Sequence, residues 1–249
     1  MRTVEQTLLE RRSIRRYERE AISQESLNFI YEAIRNTSTS YNGQQFSVID
    51  IDDQDVKEQL YALTGQKQIK TCNHFFIFCA DYRKIKLLAA EKGISFPAFQ
   101  NTMDGIMVGV IDAALAMQNA QTAANACGLG CCCVGYVRTA APEQVAELLE
   151  LPEGVFVVCG LAVGVPRELP DMKPKQPLGA VVHKNKYASE AALLKELSAY
   201  DKDISQYNRT RSGTTSENDW CGHIINYYEE AMSYRILDYL RKQGFDPKK

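Results

Sequence analysis

Seven consecutive residues near the start of the chain, Arg11-Arg12-Ser13-Ile14-Arg15-Arg16-Tyr17, place four guanidinium groups and a hydroxyl group in one short run. Arginine offers a planar set of donors that fits phosphate oxygens, and its charge does not titrate in the physiological range. The run therefore indicates a phosphate-binding segment, provided that a firm element holds it. A solvated basic surface is the alternative interpretation, and the run by itself does not decide between the two.

Two further pairs of basic residues lie late in the chain, Lys173 with Lys175 and Arg209 with Arg211. A dianionic phosphate favours two or three positive partners, and each charge-assisted hydrogen bond contributes about 1.5–3 kcal/mol. The usual nucleotide fingerprints do not occur, since the sequence contains neither G-x-x-x-x-G-K-[ST] nor a strand followed by G-x-G-x-x-G. These basic residues either belong to another kind of anion site or are ordinary solvated side chains.

Side chains suited to hydrolysis or to metal binding are scarce. The three histidines lie far apart, no serine stands in a G-x-S-x-G context, and no spacing fits a metal site. His74 adjoins an apolar strand and is interpreted as a core residue. The polar stretch 38–45 offers hydroxyl and amide groups to a planar heterocycle, or is an ordinary turn. An enzyme with this inventory would take its chemistry from a bound cofactor.

Composition excludes several classes of protein. A chain of 249 residues with 45% hydrophobic and 24% charged residues is ordinary for a globular protein, and its net charge of −2 argues against general nucleic-acid binding. No signal peptide or membrane span is expected, because no long stretch is free of polar residues. The eight cysteines include no C-x-x-C pair, which favours buried thiols in a reducing cytoplasm over disulfides. A redox role for one exposed cysteine stays open.

Hydrophobic periodicity predicts an α+β protein. We expect helices at residues 23–36, 53–63, 102–127, 142–150, 189–206 and 218–243, a further helix after Asp81, and strands at residues 46–51, 75–80, 131–137 and 155–165. The helix 102–127 is apolar on nearly every side, which is typical of a central position or a subunit interface. Because strict β-α-β alternation fails near the start, we expect a mainly antiparallel or mixed sheet surrounded by helices, with a C-terminal helical extension.

The opening run resembles the [HR]-R-S-[IV]-R-x-[FY] motif of the flavin-dependent nitroreductase superfamily. Further segments are similar to its larger branch, the oxygen-insensitive NADPH nitroreductases and NAD(P)H-flavin reductases: Thr64-Gly65-Gln66-Lys67, Phe78-Cys79-Ala80-Asp81, Gly128-Leu129-Gly130, Asp171-Met172-Lys173-Pro174 and Leu237-Asp238-Tyr239-Leu240-Arg241-Lys242-Gln243-Gly244. The resemblance implies a single FMN-binding domain over residues 1–249, in which residues 167–249 form an extended arm and a helical extension. It also implies an intertwined homodimer with each flavin at the subunit interface.

The resemblance further implies which residues bind the cofactor and the electron donor. FMN would contact Arg11, Arg12, Ser13, Arg15, Ser38, Thr39, Ser40, Gln66, Gln68, Cys133, Val134, Gly135, Tyr136, Lys173 and Lys175. Within this set, the opening motif and the two lysines would hold the phosphate. NADPH or NADH would contact Arg209 and Arg211. No metal and no catalytic protein side chain is implied, because the flavin N5 atom carries the chemistry.

The hypothesis for function is an FMN-dependent NAD(P)H oxidoreductase with a ping-pong cycle. Hydride passes from the nicotinamide to flavin N5, and two electrons then pass to a nitroaromatic, a quinone, an azo compound or free flavin. Two alternatives are a non-catalytic protein that binds and sequesters flavin, and a flavin reductase that supplies a partner oxygenase. The partners expected are a second copy of the chain and small-molecule acceptors, with no nucleic acid and no membrane.

Overall fold

Four antiparallel strands form the sheet on which the chain is built, in the spatial order β1-β2-β4-β3. The computed structural model describes residues 1–247. The strands are β1 (Phe46–Ile51), β2 (His74–Asp81), β3 (Gly130–Val134) and β4 (Val155–Gly164). In the register, Ile77 of β2 lies between Ile49 of β1 and Gly160 of β4.

Twelve helices are found in the described part of the chain. The first eight are α1 (Val4–Leu9), α2 (Gln24–Arg35), α3 (Gln54–Thr64), α4 (Lys67–Thr71), α5 (Arg83–Glu91), α6 (Met103–Ala126), α7 (Tyr136–Thr139) and α8 (Pro142–Leu148). The last four are α9 (Leu178–Val181), α10 (Glu190–Thr210), α11 (Trp220–Ala231) and α12 (Ile236–Lys242). Single 3₁₀ turns occur at Ser40–Asn42 and Phe99–Asn101.

Helices cover both faces of the sheet. Alternate residues of a strand point to opposite faces, so neighbouring residues of β2 pack in different core clusters. Phe76 and Phe78 of β2 pack in one core cluster with apolar residues of α2 and α6. Phe75 and Ile77 pack in a second cluster with residues of α3, α4 and α8. All four side chains are fully buried. The continuous apolar run of β2 is therefore that of a central strand buried on both sides.

The long helix α6 is buried on one side only. Thr102 caps its N-terminus by accepting a hydrogen bond from the Gly105 amide. Its other side carries an apolar stripe, defined here as Met103, Met107, Ile111 and Leu115, whose side chains are 45–52% exposed in the single chain. Contiguous exposed apolar surface of this kind marks an interaction site.

The chain divides into two compact units. The first comprises Met1–Leu169 and the chain from Arg235 onward, and it contains the sheet, α1–α8 and α12. The second comprises Pro170–Tyr234 and contains the extended arm with α9–α11. In the second unit the ring of Tyr200 lies edge-on to Trp220 with 5.5 Å between centroids, and the Tyr200 hydroxyl donates to the Pro174 carbonyl at 3.4 Å. The arm is therefore held against α10.

The predicted α+β class is confirmed, and every strand pairing in the described sheet is antiparallel. The predicted strand 131–137 is wrong at its end, because β3 stops at Val134 and Tyr136 begins helix α7. Gly135 takes right-handed helical angles, φ −76° and ψ −27°, and Val137 then turns into the core. Gly135 and Tyr136 are consequently not strand residues.

The predicted boundaries of the late helices also need correction. The single helix expected at residues 218–243 is two helices, since Arg235 has a non-helical ψ of 49° and the Ser233 hydroxyl caps the Glu230 carbonyl. Helix α10 continues to Thr210, four residues past its predicted end at residue 206. Arg209 therefore lies on helix α10, and Arg211 caps its C-terminus.

Candidate functional site

The opening segment, residues 11–17, lies extended along the edge of the sheet beside β3. The Ile14 amide donates to the Cys131 carbonyl at 2.9 Å, and Ser13 forms a parallel bridge with Cys131. The Tyr17 hydroxyl donates to the Ile14 carbonyl at 2.6 Å, and Tyr17 pairs with Pro166. Ile14 and Tyr17 are buried. These two anchors make the basic run a firmly held element rather than a mobile terminus.

Arg11 and Arg12 line a cavity of about 390 Å³ beside the turn before β3. Four arginines (Arg2, Arg11, Arg12, Arg167) and two carboxylates (Glu10, Glu168) are in its lining, so positive charge predominates. The Nε atoms of both arginines are buried and meet no hydrogen-bond acceptor among residues 1–247. A buried donor without a partner is destabilising, and a buried charged donor more so. The cavity is thus suited to a ligand that brings acceptor oxygens and negative charge.

Arg15 faces a second cavity, of about 680 Å³, together with Gln68. Arg16, Lys67 and Arg167 complete its cationic lining, and no acidic side chain of the described residues lines it. Such a lining favours an anion.

Glu168 organises the backbone beside these arginines. Its Oε1 atom accepts from the Arg15 amide at 2.8 Å, and its Oε2 atom lies 3.7 Å from Arg16 Nε. The carboxylate therefore bonds to the backbone of Arg15, and no ion pair is formed between it and the Arg15 guanidinium.

Gln66 and Gln68 lie where α3 gives way to α4. Gly65 ends α3 in the left-handed conformation with φ 68°, a conformation that favours glycine. The Gln68 side-chain amide then donates to Gln66 Oε1 at 2.9 Å, and Gln68 is buried. Gln68 therefore lines the Arg15 cavity, and Gln66 is linked to it through this hydrogen bond.

The cysteines of β3 adjoin the same arginines. The Cys133 side chain is exposed in the single chain, but the protein around its sulfur atom still desolvates the thiol and raises its pKa to about 11. Neighbouring Cys159 and Cys132 act in the same direction, and Arg11 acts against them. Burial likewise raises the pKa of Cys131 and Cys132. These thiols are neutral at physiological pH, so they meet a ligand as small uncharged groups and not as nucleophilic thiolates.

The loop 38–45 lies elsewhere, at the opposite side of α6 from Cys133. The Asp112 carboxylate of α6 accepts hydrogen bonds from the backbone amides of Ser40 and Gln45, each at 3.1 Å. Gln121, also on α6, accepts a hydrogen bond from the Cys133 thiol at 3.5 Å. Asp112 and Gln121 are nine residues apart, about two and a half helical turns, so their side chains leave α6 on opposite sides. Within one chain, Ser38, Thr39 and Ser40 are not brought to the arginines.

The remaining predicted residues belong to the second unit. Lys173 and Lys175 lie in the arm, whose Asp171 carboxylate accepts the Ser212 amide at 2.6 Å. Arg209 pairs with Glu217 at 3.5 Å. Arg211 lies over the ring of Tyr207 at 5.9 Å, and its Nε atom is buried without an acceptor in the described chain.

Other kinds of site find little support in the described residues. His74 Nδ1 lies 2.9 Å from an Asp50 carboxylate oxygen, an arrangement that satisfies a partly buried histidine as the sequence suggested. Across residues 1–247, no group of three or more His, Cys, Asp or Glu side chains is arranged to hold a metal ion. None of the helices described has the length and apolar character that crossing a membrane requires.

Comparison with protein families decides the relationship of this chain. The model described as "Nitroreductase family" matches residues 8–165, and the model described as "Nitroreductase family, C-terminal domain" matches residues 173–248. The chain belongs to the nitroreductase family. The resemblance seen in the opening run and in the later segments is thereby confirmed for this nitroreductase-family protein.

Known proteins resemble this member of the nitroreductase family over 94–100% of its length. It is 35% identical to an FMN reductase [NAD(P)H] of Bacillus subtilis (strain 168), with 100% of both chains covered, and 35% identical to an oxygen-insensitive NADPH nitroreductase of Salmonella typhimurium, with 94% of both covered. A hypothetical oxidoreductase of Bacillus subtilis has the same fold, with a TM-score of 0.95, 35% identity and 100% of both chains covered. The NADPH:FMN oxidoreductase of Vibrio harveyi, solved with NAD⁺, matches with a TM-score of 0.85, 27% identity and 99% coverage of both chains.

Sequence reasoning missed two residues that organise the site. Glu168 lies 153 residues from its Arg15 partner, and no local pattern connects them. Asp112 carried a weak signal, since it is a charged residue inside an apolar helix, and a buried charge requires partners. The sequence did not indicate that those partners are two backbone amides of the loop 38–45.

Proposed function

We propose that this nitroreductase-family protein is an FMN-dependent NAD(P)H oxidoreductase. One observation carries the proposal: the buried Nε atoms of Arg11 and Arg12 have no acceptor in the described chain and face a cavity. A phosphate monoester supplies acceptor oxygens and negative charge to such donors. The names of the relatives, an FMN reductase and a nitroreductase among them, support FMN as the ligand that carries this phosphate.

The donor set fits a flavin mononucleotide. The resemblance assigns the phosphate to Arg11, Arg12, Ser13 and Arg15, and adds Lys173 and Lys175. The cavity of Arg11 and Arg12 and the cavity of Arg15 are both lined by Arg167, so one ligand that enters both would reach all three arginines of the opening segment. Gln66 and Gln68 would hydrogen-bond the ribityl chain or the ring, and the segment from Cys133 to Tyr136 would contact the ring largely through its backbone. FMN held by these residues would supply the two-electron chemistry between NADH or NADPH and an acceptor.

The chain's own contribution is positioning and positive charge. The Glu168 carboxylate accepts a hydrogen bond from the Arg15 backbone amide at 2.8 Å. Because this bond uses the backbone, the Arg15 guanidinium group is left to act on a ligand. The cationic lining around Arg15 stabilises negative charge on a phosphate or on a reduced ring. The buried thiols of Cys131 and Cys132 add no charge to the site, because burial raises the pKa of each. No acid–base side chain is required from the protein.

We propose that the working form is a homodimer. The apolar stripe on α6 lies between the side of the helix that carries Asp112 and the side that carries Gln121. A second copy packed on this stripe would bring its own loop 38–45 toward the Cys133 side. That arrangement would let Ser38, Thr39 and Ser40 of one protomer contact the flavin held by its partner, which a single chain does not achieve.

The electron donor and the acceptor complete the proposal. Arg209 and Arg211 are proposed to contact NADPH or NADH, and the orphaned Nε of Arg211 supports an anionic contact there. Small acceptors such as nitroaromatics, quinones, azo compounds or free flavin would take the electrons. The proposed location is the cytoplasm, which is supported by eight cysteines that are all free thiols.

The test is to purify the protein and measure its visible absorption. We expect a yellow protein that NADPH or NADH bleaches without oxygen, and a steady-state panel of both nucleotides against several acceptors then gives the preference. A colourless protein that FMN does not reconstitute contradicts the proposal. A protein that holds FMN but oxidises neither nucleotide faster than free FMN does is a flavin-sequestering protein instead.

A further inference from the structure

The loop 38–45 has an unfavourable backbone conformation that something must maintain. Tyr41, Asn42 and Gln44 have φ of 55°, 53° and 50°, although none is glycine. The left-handed region is disfavoured for residues with a β-carbon, so three such residues within four positions persist only where surrounding contacts hold them. Tyr41 is 96% exposed, so its own side chain supplies none of that support.

Asp112 bonds to both ends of this loop. Its Oδ1 atom accepts the Ser40 amide and its Oδ2 atom accepts the Gln45 amide, each at 3.1 Å. The carboxylate is completely buried, and no Lys, Arg or His of the described chain forms an ion pair with it. Burying a carboxyl side chain is costly unless hydrogen bonds compensate, and the two loop amides are the hydrogen bonds that offset this cost.

We infer that Asp112 is a positioning residue, which sets where Ser38, Thr39 and Ser40 present their hydroxyl groups. The inference rests on the proposed function, in which these residues contact the flavin. Ser38 is exposed and Thr39 and Ser40 are partly exposed, so their side chains are available to a ligand. The Thr39 hydroxyl also accepts the Gln44 amide at 3.3 Å, which ties the orientation of that side chain to the same loop geometry.

The informative substitution is Asp112→Asn, which keeps the shape of the side chain. It replaces one acceptor oxygen by an amide group that would face a backbone N–H, so one end of the loop is released. Asn119→Ala is the matched control. Asn119 also projects from α6 and makes two hydrogen bonds, to the Ala33 carbonyl at 3.3 Å and to Thr37 Oγ1 at 3.0 Å, but it does not bond to residues 38–45.

Two measurements separate positioning from a merely structural role. Hydrogen–deuterium exchange reports on the Ser40 and Gln45 amides directly, with the amides of α6 as the internal reference for folding. In Asp112→Asn we expect the amide that loses its acceptor, Ser40 or Gln45, to exchange about tenfold faster and the FMN dissociation constant to rise about tenfold, the effect of losing one hydrogen bond to a charged group. The visible circular dichroism of bound FMN should change as well. In Asn119→Ala the amide exchange rates, the FMN dissociation constant and the visible circular dichroism should match those of the wild type.

Each other result counts against the inference. Unchanged exchange at residues 40 and 45 shows that Asp112 does not hold the loop. Faster exchange with unchanged FMN affinity and dichroism shows that the loop does not serve the flavin. A wild-type protein that fails to bind FMN contradicts the proposed function instead, and the exchange data still test the hold on the loop. If Asp112→Asn does not fold, the wild-type protein still tests the inference. Exchange of the Ser40 and Gln45 amides at the rate of an unstructured peptide overturns it, and exchange much slower than that rate supports it.

Discussion

Gly130 lies so close to Ile14 that a β-carbon at position 130 would come within 2.8 Å of the Ile14 β-carbon. Gly130 is the first residue of β3, and the Ile14 amide bonds to the next residue along, Cys131. The absence of a side chain at position 130 therefore allows the opening segment to join the edge of the sheet. The position of the arginines that flank Ile14 depends on this contact.

The substitution Gly130→Ala should destabilise the protein by about 1–3 kcal/mol, the usual effect of forcing an extra group into a packed region. Denaturant unfolding of the FMN-free protein measures this change. Gly135→Ala is the control, because a β-carbon there would have its nearest neighbour 4.0 Å away and the backbone φ is −76°. Equal losses in free energy of unfolding for the two variants would show that the contact with Ile14 is not responsible.

Removing the guanidinium group in Arg15→Ala should weaken FMN binding much more than folding. One charge-assisted hydrogen bond contributes about 1.5–3 kcal/mol, which corresponds to a rise of about 10- to 100-fold in the FMN dissociation constant. Fluorescence titration of the FMN-free protein gives this constant, and thermal unfolding gives the stability. Arg19→Ala removes an exposed arginine outside the Arg15 cavity and should change neither. If Arg15→Ala lowers the free energy of unfolding of the FMN-free protein by as much as it lowers the free energy of FMN binding, Arg15 has a structural role instead.

A charge in the apolar stripe should separate the proposed dimer. Ile111 is 50% exposed in one chain, and Ile111→Lys would bury an unpaired ammonium group in a close interface. We expect the mass in sedimentation velocity to fall from two chains to one, with loss of FMN, since the loop 38–45 of the partner is then absent. Gln59→Lys places the same charge on an exposed position of α3 and should leave the mass unchanged. A dimer that persists in Ile111→Lys would place the interface elsewhere.

The Cys133 thiol should react slowly near neutral pH. Burial, with Cys159 and Cys132 beside it, raises its pKa to about 11, and a raised thiol pKa keeps the unreactive neutral form to higher pH. At pH 8 only about one such thiol in a thousand is ionised, so alkylation by iodoacetamide should accelerate about tenfold per pH unit from pH 8 to pH 10. Peptide mass spectrometry follows the modification, and the urea-unfolded chain, which lacks the burial, serves as the fast reference. Equal rates in the folded and unfolded chain at pH 8 would contradict the raised pKa.

Local signals were sufficient for most of the secondary structure. Strand β1 has its predicted bounds, and α6 lies between the predicted limits at Thr102 and Cys127, because apolar periodicity and capping residues act over a few neighbouring positions. The ends of β3 and α10 were not predictable in this way. Val137 is buried just beyond the turn at Gly135, and buried Asn208 in the last turn of α10 donates to the Asn218 carbonyl at 2.7 Å. Such tertiary contacts override weak local preference.

For the site, the sequence by itself determined the chemistry on offer: an arginine run suited to phosphate, a polar loop, and few acid–base groups. Only the tertiary structure decided how these parts are placed. It joined Ile14 to β3, set Glu168 against Arg15 and Asp112 against the loop amides, and separated Ser40 from Cys133 on opposite sides of α6. The reason is physical: such contacts join residues tens to more than a hundred positions apart, and side-chain types alone do not specify which distant backbone groups they meet.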